Sequence, residues 1–162
     1  MKGTRLTSIV HALLPLLLVI GLQATAWSQS TRARHNRVVG VWDVQVAILD
    51  CSTGTQLFSF AGLHKYDLGG TAQVVPATSP TALSAHMGVW KHVRKNQYQL
   101  TFKMFRFDPD GNNIGWSVVK NDVAISEGGT EYAGSGHAEV FDANGNVVGQ
   151  SCPTFTGTRL QN

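Results

Sequence analysis

The chain has 162 residues, a length that suits a single domain. Its formal net charge of +3 is carried by the N-terminal segment: from Val38 onward eight Lys and Arg stand against ten Asp and Glu, a balance of two negative charges. That electrostatic footprint excludes a nucleic-acid binder; Cys51 and Cys152 are too far apart for a Cys-x-x-Cys redox motif, and two cysteines alone make a poor metal site.

In chain order, Lys2 and Arg5 precede an apolar run from Ile9 to Leu22, and Ala24-Thr25-Ala26 follows. This is the charged region, apolar region and small-residue cleavage site of a secretory signal peptide, predicted over residues 1–26. The run is too short for a transmembrane helix, so no integral membrane segment is expected in the mature chain. Residues 27–37, including "STRARHNR", read as a flexible basic leader. Export to a secreted or periplasmic location makes one Cys51–Cys152 disulfide the simplest outcome for the only cysteine pair.

Residues 38–162 read as one all-β domain. No window carries apolar residues at helical spacing over three turns; short β-branched and aromatic runs are separated by Gly, Asn, Asp and Pro. Eight strands are predicted: Gly40–Asp50, Leu57–Asp67, Thr71–Val75, His86–Arg94, Tyr98–Phe107, Gly115–Ile125, Glu131–Asp142 and Asn146–Leu160. The links Leu68–Gly70, Lys95–Asn96 and Ser126–Gly129 are tight turns. The longer links at Asp50–Thr55, Pro76–Ser84, Asp108–Asn113 and Asp142–Gly145 fall at the opposite end of an up-and-down meander. The predicted architecture is therefore an eight-stranded antiparallel barrel with one closed end and one mouth.

Closure is testable by arithmetic, because antiparallel partners keep a nearly constant sum of residue numbers. Trp42 with Arg159 sums to 201, and Cys51 with Cys152 sums to 203, one diagonal step apart. Side-chain alternation puts Trp42, Val44, Val46 and Ile48 on one face with Phe155 and Arg159, and both thiols on the other. One register thus joins Cys51 to Cys152 outside and packs Arg159 against Trp42 inside.

These residues resemble the calycin superfamily, the lipocalins and their relatives: Gly40-Val41-Trp42 heads the first strand and Arg159 lies near the end of the last. In that family a Gly-x-Trp sits at the closed end and a basic residue of the final strand packs across the indole. The "GVW" at Gly88–Trp90, "LGGT" at Leu68–Thr71 and "FDANGNVV" leading to Cys152 are similar to an uncharacterised group of bacterial secreted lipocalin-like proteins. The resemblance covers roughly residues 38–160 and implies a cup for a small apolar or amphipathic molecule. The stretch "EGGTEYAGSGHAEV" has a fainter likeness to allene oxide cyclase and dirigent barrels, which keeps a cyclase or isomerase as the competing class. A structural or envelope-interaction protein with a filled core is the third.

The chemistry-bearing residues sort accordingly. "DPDGNN" fails the calcium-loop pattern, since its Gly comes early and Val119 stands where the bidentate Glu belongs; "DANGN" fails likewise. No histidines take metal-ligand spacing, so no metal or cofactor is expected. Ser135 and His137 share a strand face but lack a third partner for nucleophilic catalysis. Inward alternation singles out Phe58, Phe60, His86, Trp90, Phe102, Met104 and Arg106 as ligand-binding residues, with Trp116 near the mouth. His86 and Arg106 are the polar groups, and Arg106 suits a carboxylate head.

Overall fold

In a computed structural model, residues 36–78 and 81–161 are described. The predicted signal peptide and residues 27–35 of the basic leader lie outside them. The folded unit is all-β. Its strands are β1 (Gly40–Leu49), β2 (Gln56–Tyr66), β3 (Thr71–Pro76), β4 (His86–Arg94), β5 (Gln97–Phe107), β6 (Asn113–Ile125), β7 (Glu131–Phe141) and β8 (Val147–Arg159). They close in sequence order into an antiparallel barrel. Among the described residues, no helix is long and apolar enough to cross a membrane.

Closure runs through β1 and β8, whose register pairs Trp42 with Arg159 and Leu49 with Cys152. The predicted sum of 201 therefore holds along the whole seam. Beyond the last pair the chain turns at Asp50, whose carboxylate accepts from the backbone N–H groups of Ser52 and Thr53. That turn brings Cys51 back over β8, where it forms a disulfide with Cys152 on the outer wall.

The closed end is built on the Gly-x-Trp. Trp42 is fully buried, its indole donates to the Val38 carbonyl at 2.8 Å, and Tyr132 packs against it with ring centroids 4.9 Å apart. The Arg159 guanidinium lies 4.2 Å from the indole centroid. It donates to the backbone carbonyls of Gly129 at 2.7 Å, Val39 at 2.6 Å, and Arg37. Gly40 is required here for two reasons: its φ is +135°, and a Cβ would lie 2.5 Å from Arg159 Nη1. The tight turns at this end place Gly70, Lys95 and Gly129 at positive φ.

Inward positions of β4, β7 and β8 alternate large rings with missing side chains. A Cβ on Gly134 would enter the Phe155 ring, one on Gly157 the Tyr132 ring, and one on Gly88 the Phe102 ring. A barrel this narrow accepts big aromatics only where facing positions are small. At the other end, Asp108 and Asp142 head two near-identical turns. In each, the carboxylate accepts two backbone N–H groups and an Asn side-chain amide. Both are the hairpin links expected from their sequence.

Candidate functional site

Above the Trp42–Tyr132 floor the barrel is not filled. A cavity of about 410 Å³ opens toward the long-loop end. Six of the sequence-predicted residues line it: Phe58, Phe60, His86, Phe102, Met104 and Arg106. Their placement follows from strand alternation. Phe60 and His64 point inward on β2, and Phe102, Met104 and Arg106 do so on β5. His86 opens β4 opposite Val74.

Depth follows from the register. Arg106 bridges Leu83 in the β3–β4 loop, which sets its guanidinium at the rim. Phe58 also lines the cavity, 56% exposed and stacked near Phe60 with ring centroids 6.3 Å apart. Deeper down, His64 pairs with Trp42 across β1 and β2. Its ring sits among Phe102, Tyr132 and Phe155, with centroids 6.0 to 6.1 Å away.

The other two predicted residues do not line the cavity. Trp90 faces inward, but too near the closed end: its indole donates to the Asp67 carbonyl at 2.9 Å and meets the Tyr98 ring edge-on at 5.8 Å. It covers a turn rather than the cup. Trp116 is on the outer wall. On β6 the inward positions are Gly115, Ser117, Val119 and Asn121, so the intervening Trp116 stacks on Phe141 with centroids 5.5 Å apart, while Lys103 Nζ lies 4.7 Å from its ring centroid.

Sequence reasoning missed the buried polar set. His64, Ser117 and Asn121 line the cavity beside His86, and all four are buried. The Tyr132 hydroxyl and His64 Nδ1 are hydrogen-bonded to each other at 2.6 Å. Burial, helped by the nearby His86, lowers the His64 pKa to about 3; burial alone lowers that of His86 to about 4. Both rings are therefore neutral at neutral pH. His86 Nε2 and Asn121 Oδ1 are buried without a hydrogen-bond partner. The signal for His64 was present in the sequence, since it shares inward parity with Phe60 and Tyr66.

The outer wall holds a second cluster. The sulfurs of Cys51 and Cys152 and the His137 ring lie together, with ligand atoms within 4.8 Å of one another. The disulfide occupies both sulfurs. A groove along Asp43, Gln45, Thr156 and Thr158 runs over outward-facing positions and carries none of the unpartnered buried atoms.

Fold and cavity together define a closed eight-stranded antiparallel barrel with an internal cup. No protein-family model matches the chain, and no curated protein matches it. Among solved structures, the chain is similar to Rv2717c from M. tuberculosis. The identity is 12%, over 77% of this chain and 94% of that one, with a TM-score of 0.41.

Proposed function

We propose that this is an exported, lipocalin-like protein that binds a small amphipathic molecule in its cup. The observation that carries the reading is the cavity itself. Its volume, about 410 Å³, lies at the small end of ligand-site volumes. Its wall is largely aromatic and aliphatic, with Arg106 at the rim and an unpartnered His86 Nε2 lower down. A buried unsatisfied nitrogen costs roughly 1–3 kcal/mol. A ligand hydroxyl or carbonyl at that depth removes the cost, while Arg106 takes a carboxylate above it. The ligand class is thus a compact aromatic acid or medium-chain fatty acid bearing a second polar group. A filled structural barrel would have no such space.

The depressed His64 and His86 are the one feature that favours the enzyme reading, because strongly shifted groups cluster at catalytic sites. Their direction argues for binding. An imidazole held at about 3 or 4 is a weak base at neutral pH, far from the match a general base needs. Neutral rings instead serve as hydrogen-bonding groups in an apolar cup.

Isothermal titration calorimetry of the mature protein with hydroxylated aromatic acids, hydroxy fatty acids and their neutral amides tests this. Arg106→Ala should weaken the acids by about tenfold or more, the loss expected for a hydrogen bond to a charged group, and leave the amides within about twofold. Absence of binding to every member of the panel, or equal losses for acids and amides, sinks the proposal.

A further inference from the structure

The Cys51–Cys152 disulfide lies outside the cup, and three observations set it apart from a purely structural staple. First, His137 Nδ1 is 3.9 Å from Cys51 Sγ and 4.0 Å from Cys152 Sγ, so one imidazole serves both sulfurs. Second, Cys51 is exposed, within the fully exposed turn Cys51–Thr55, whereas Cys152 is half-buried within β8. Third, the bond is not needed to close the barrel. Eight consecutive β1–β8 pairs from Trp42↔Arg159 to Leu49↔Cys152 hold the seam, and Cys51 stands beyond the last of them.

We propose that this cluster is a thiol-exchange site, at which a low-molecular-weight thiol is taken up as a mixed disulfide on Cys51. The incoming thiolate attacks the exposed Cys51 Sγ. A new S–S bond forms as the Cys51–Cys152 bond breaks, and the electron pair of the broken bond leaves on Cys152 Sγ. One disulfide replaces another, so no external oxidant or reductant is consumed. The departing Cys152 thiolate is received by His137, which donates to it from Nδ1; a stabilised leaving thiolate departs faster. His137 is a positioning and stabilising group here, because it never bonds to the reagent. The reverse attack by Cys152 expels the small thiol and restores the bond.

The direction of attack follows from exposure and placement. A nucleophile reaches Cys51 across an open turn, while Cys152 sits within the sheet, its strand neighbours Ser151 and Pro153 lining the cavity. The His137–Cys152 juxtaposition is fixed by the β7–β8 register, in which Ser135 pairs with Thr154 and Ala138 with Ser151.

The test is the rate at which glutathione opens the disulfide in the intact mature protein, followed by mass spectrometry with peptide mapping of the adduct. Wild type should carry glutathione on Cys51 and keep its β-rich circular dichroism. His137→Phe, which keeps a ring but removes the donor, should slow opening by about three- to tenfold, in line with loss of one hydrogen bond to a charged sulfur. His137→Lys, which restores a donor, should stay within about twofold of wild type. Equal rates for wild type and His137→Phe overturn the proposal. So does an adduct on Cys152, or loss of the β signal on opening, since each removes one of its supports.

Discussion

Arg159→Lys keeps the charge and most of the length of the side chain, and so isolates what the planar guanidinium does at the closed end. Arg159 donates to three backbone carbonyls, those of Gly129, Val39 and Arg37, while its guanidinium carbon lies 4.2 Å from the Trp42 ring centroid. An ammonium group on a flexible stem satisfies one of those carbonyls and cannot stack as a plane. Two lost hydrogen bonds at about 1 kcal/mol each, plus about 0.5–1 kcal/mol of cation–π attraction at a half-exposed site, give a loss of about 3 kcal/mol. That is a large share of the roughly 5–15 kcal/mol typical of a domain. Guanidinium unfolding followed by circular dichroism reads it directly. With a slope on the order of 3 kcal/mol per molar, the midpoint should fall by roughly 1 M at unchanged slope. A midpoint equal to that of wild type would show that the arginine packs over the indole without holding the closed end, and the clamp would have to be abandoned.

Acid should destabilise the barrel through its buried imidazoles. The folded pKa of His64, about 3, lies below its unfolded value near 6.5, so the stabilisation is complete above pH 6.5 and is lost as pH falls toward 3. By pH 4.5 the loss from His64 is about 2–3 kcal/mol at roughly 1.4 kcal/mol per pH unit. His64→Gln should flatten this limb of the pH–stability curve, and a wild type equally stable at pH 7.5 and 4.5 would contradict the burial argument. Replacing both cysteines by serine should lower stability by up to about 4 kcal/mol in the chain-entropy view, given a separation of 101 residues; far-ultraviolet circular dichroism should still report the barrel. Gly157→Ala drives a methyl into the Tyr132 ring and toward the Asp43 carbonyl. It should cost about 1–3 kcal/mol by overpacking, checked by thermal melting, and an unchanged melt would mean the wall yields freely.

The barrel was readable because period-2 alternation and turn residues are local signals. The strand His86–Arg94 is found at the predicted bounds, and the other seven differ by one or two residues at their ends. Some strands extend past the predicted end, as at Asn113 opposite Phe107, while β1, β7 and β8 stop one residue short at an end that adjoins a turn. The β1–β8 seam was readable because Trp42 with Arg159, and Cys51 with Cys152, constrain one register. Depth was not. Inward parity alone cannot tell that Trp90 caps a turn while His86, two positions before Gly88 on the same face, borders open space. Trp116 was misplaced for a related reason. It was chosen for proximity to the mouth, and alternation with the buried Gly115 and Ser117 sends it outside. The His137–disulfide cluster needed a second register, that of β7 with β8, which the "DANG" hairpin implies only once its turn type is known.

The packed floor and the open cavity are separated along the barrel axis. At the closed end three ring groups have specific partners, Val38 for the Trp42 indole, Asp67 for that of Trp90 and His64 for the Tyr132 hydroxyl, while the buried Tyr66 hydroxyl has none. Paired groups of this kind rigidify a core. His86 Nε2 and Asn121 Oδ1, which line the cavity, are also buried without a partner. A chain selected only to fold would lose nothing by filling this space with aliphatic side chains, since packed methylenes are worth more than unsatisfied nitrogens. Two of the three unpartnered buried atoms line the cup, while eight consecutive β1–β8 pairs and the Trp42–Arg159 clamp hold the wall in register. The disulfide side chains project from the outer face, so a change at sulfur leaves the cavity-lining side chains as they are. The proposed binding in the cup and the proposed exchange at the outer wall use different residues, so Arg106→Ala should weaken the first and His137→Phe slow the second, each sparing the other.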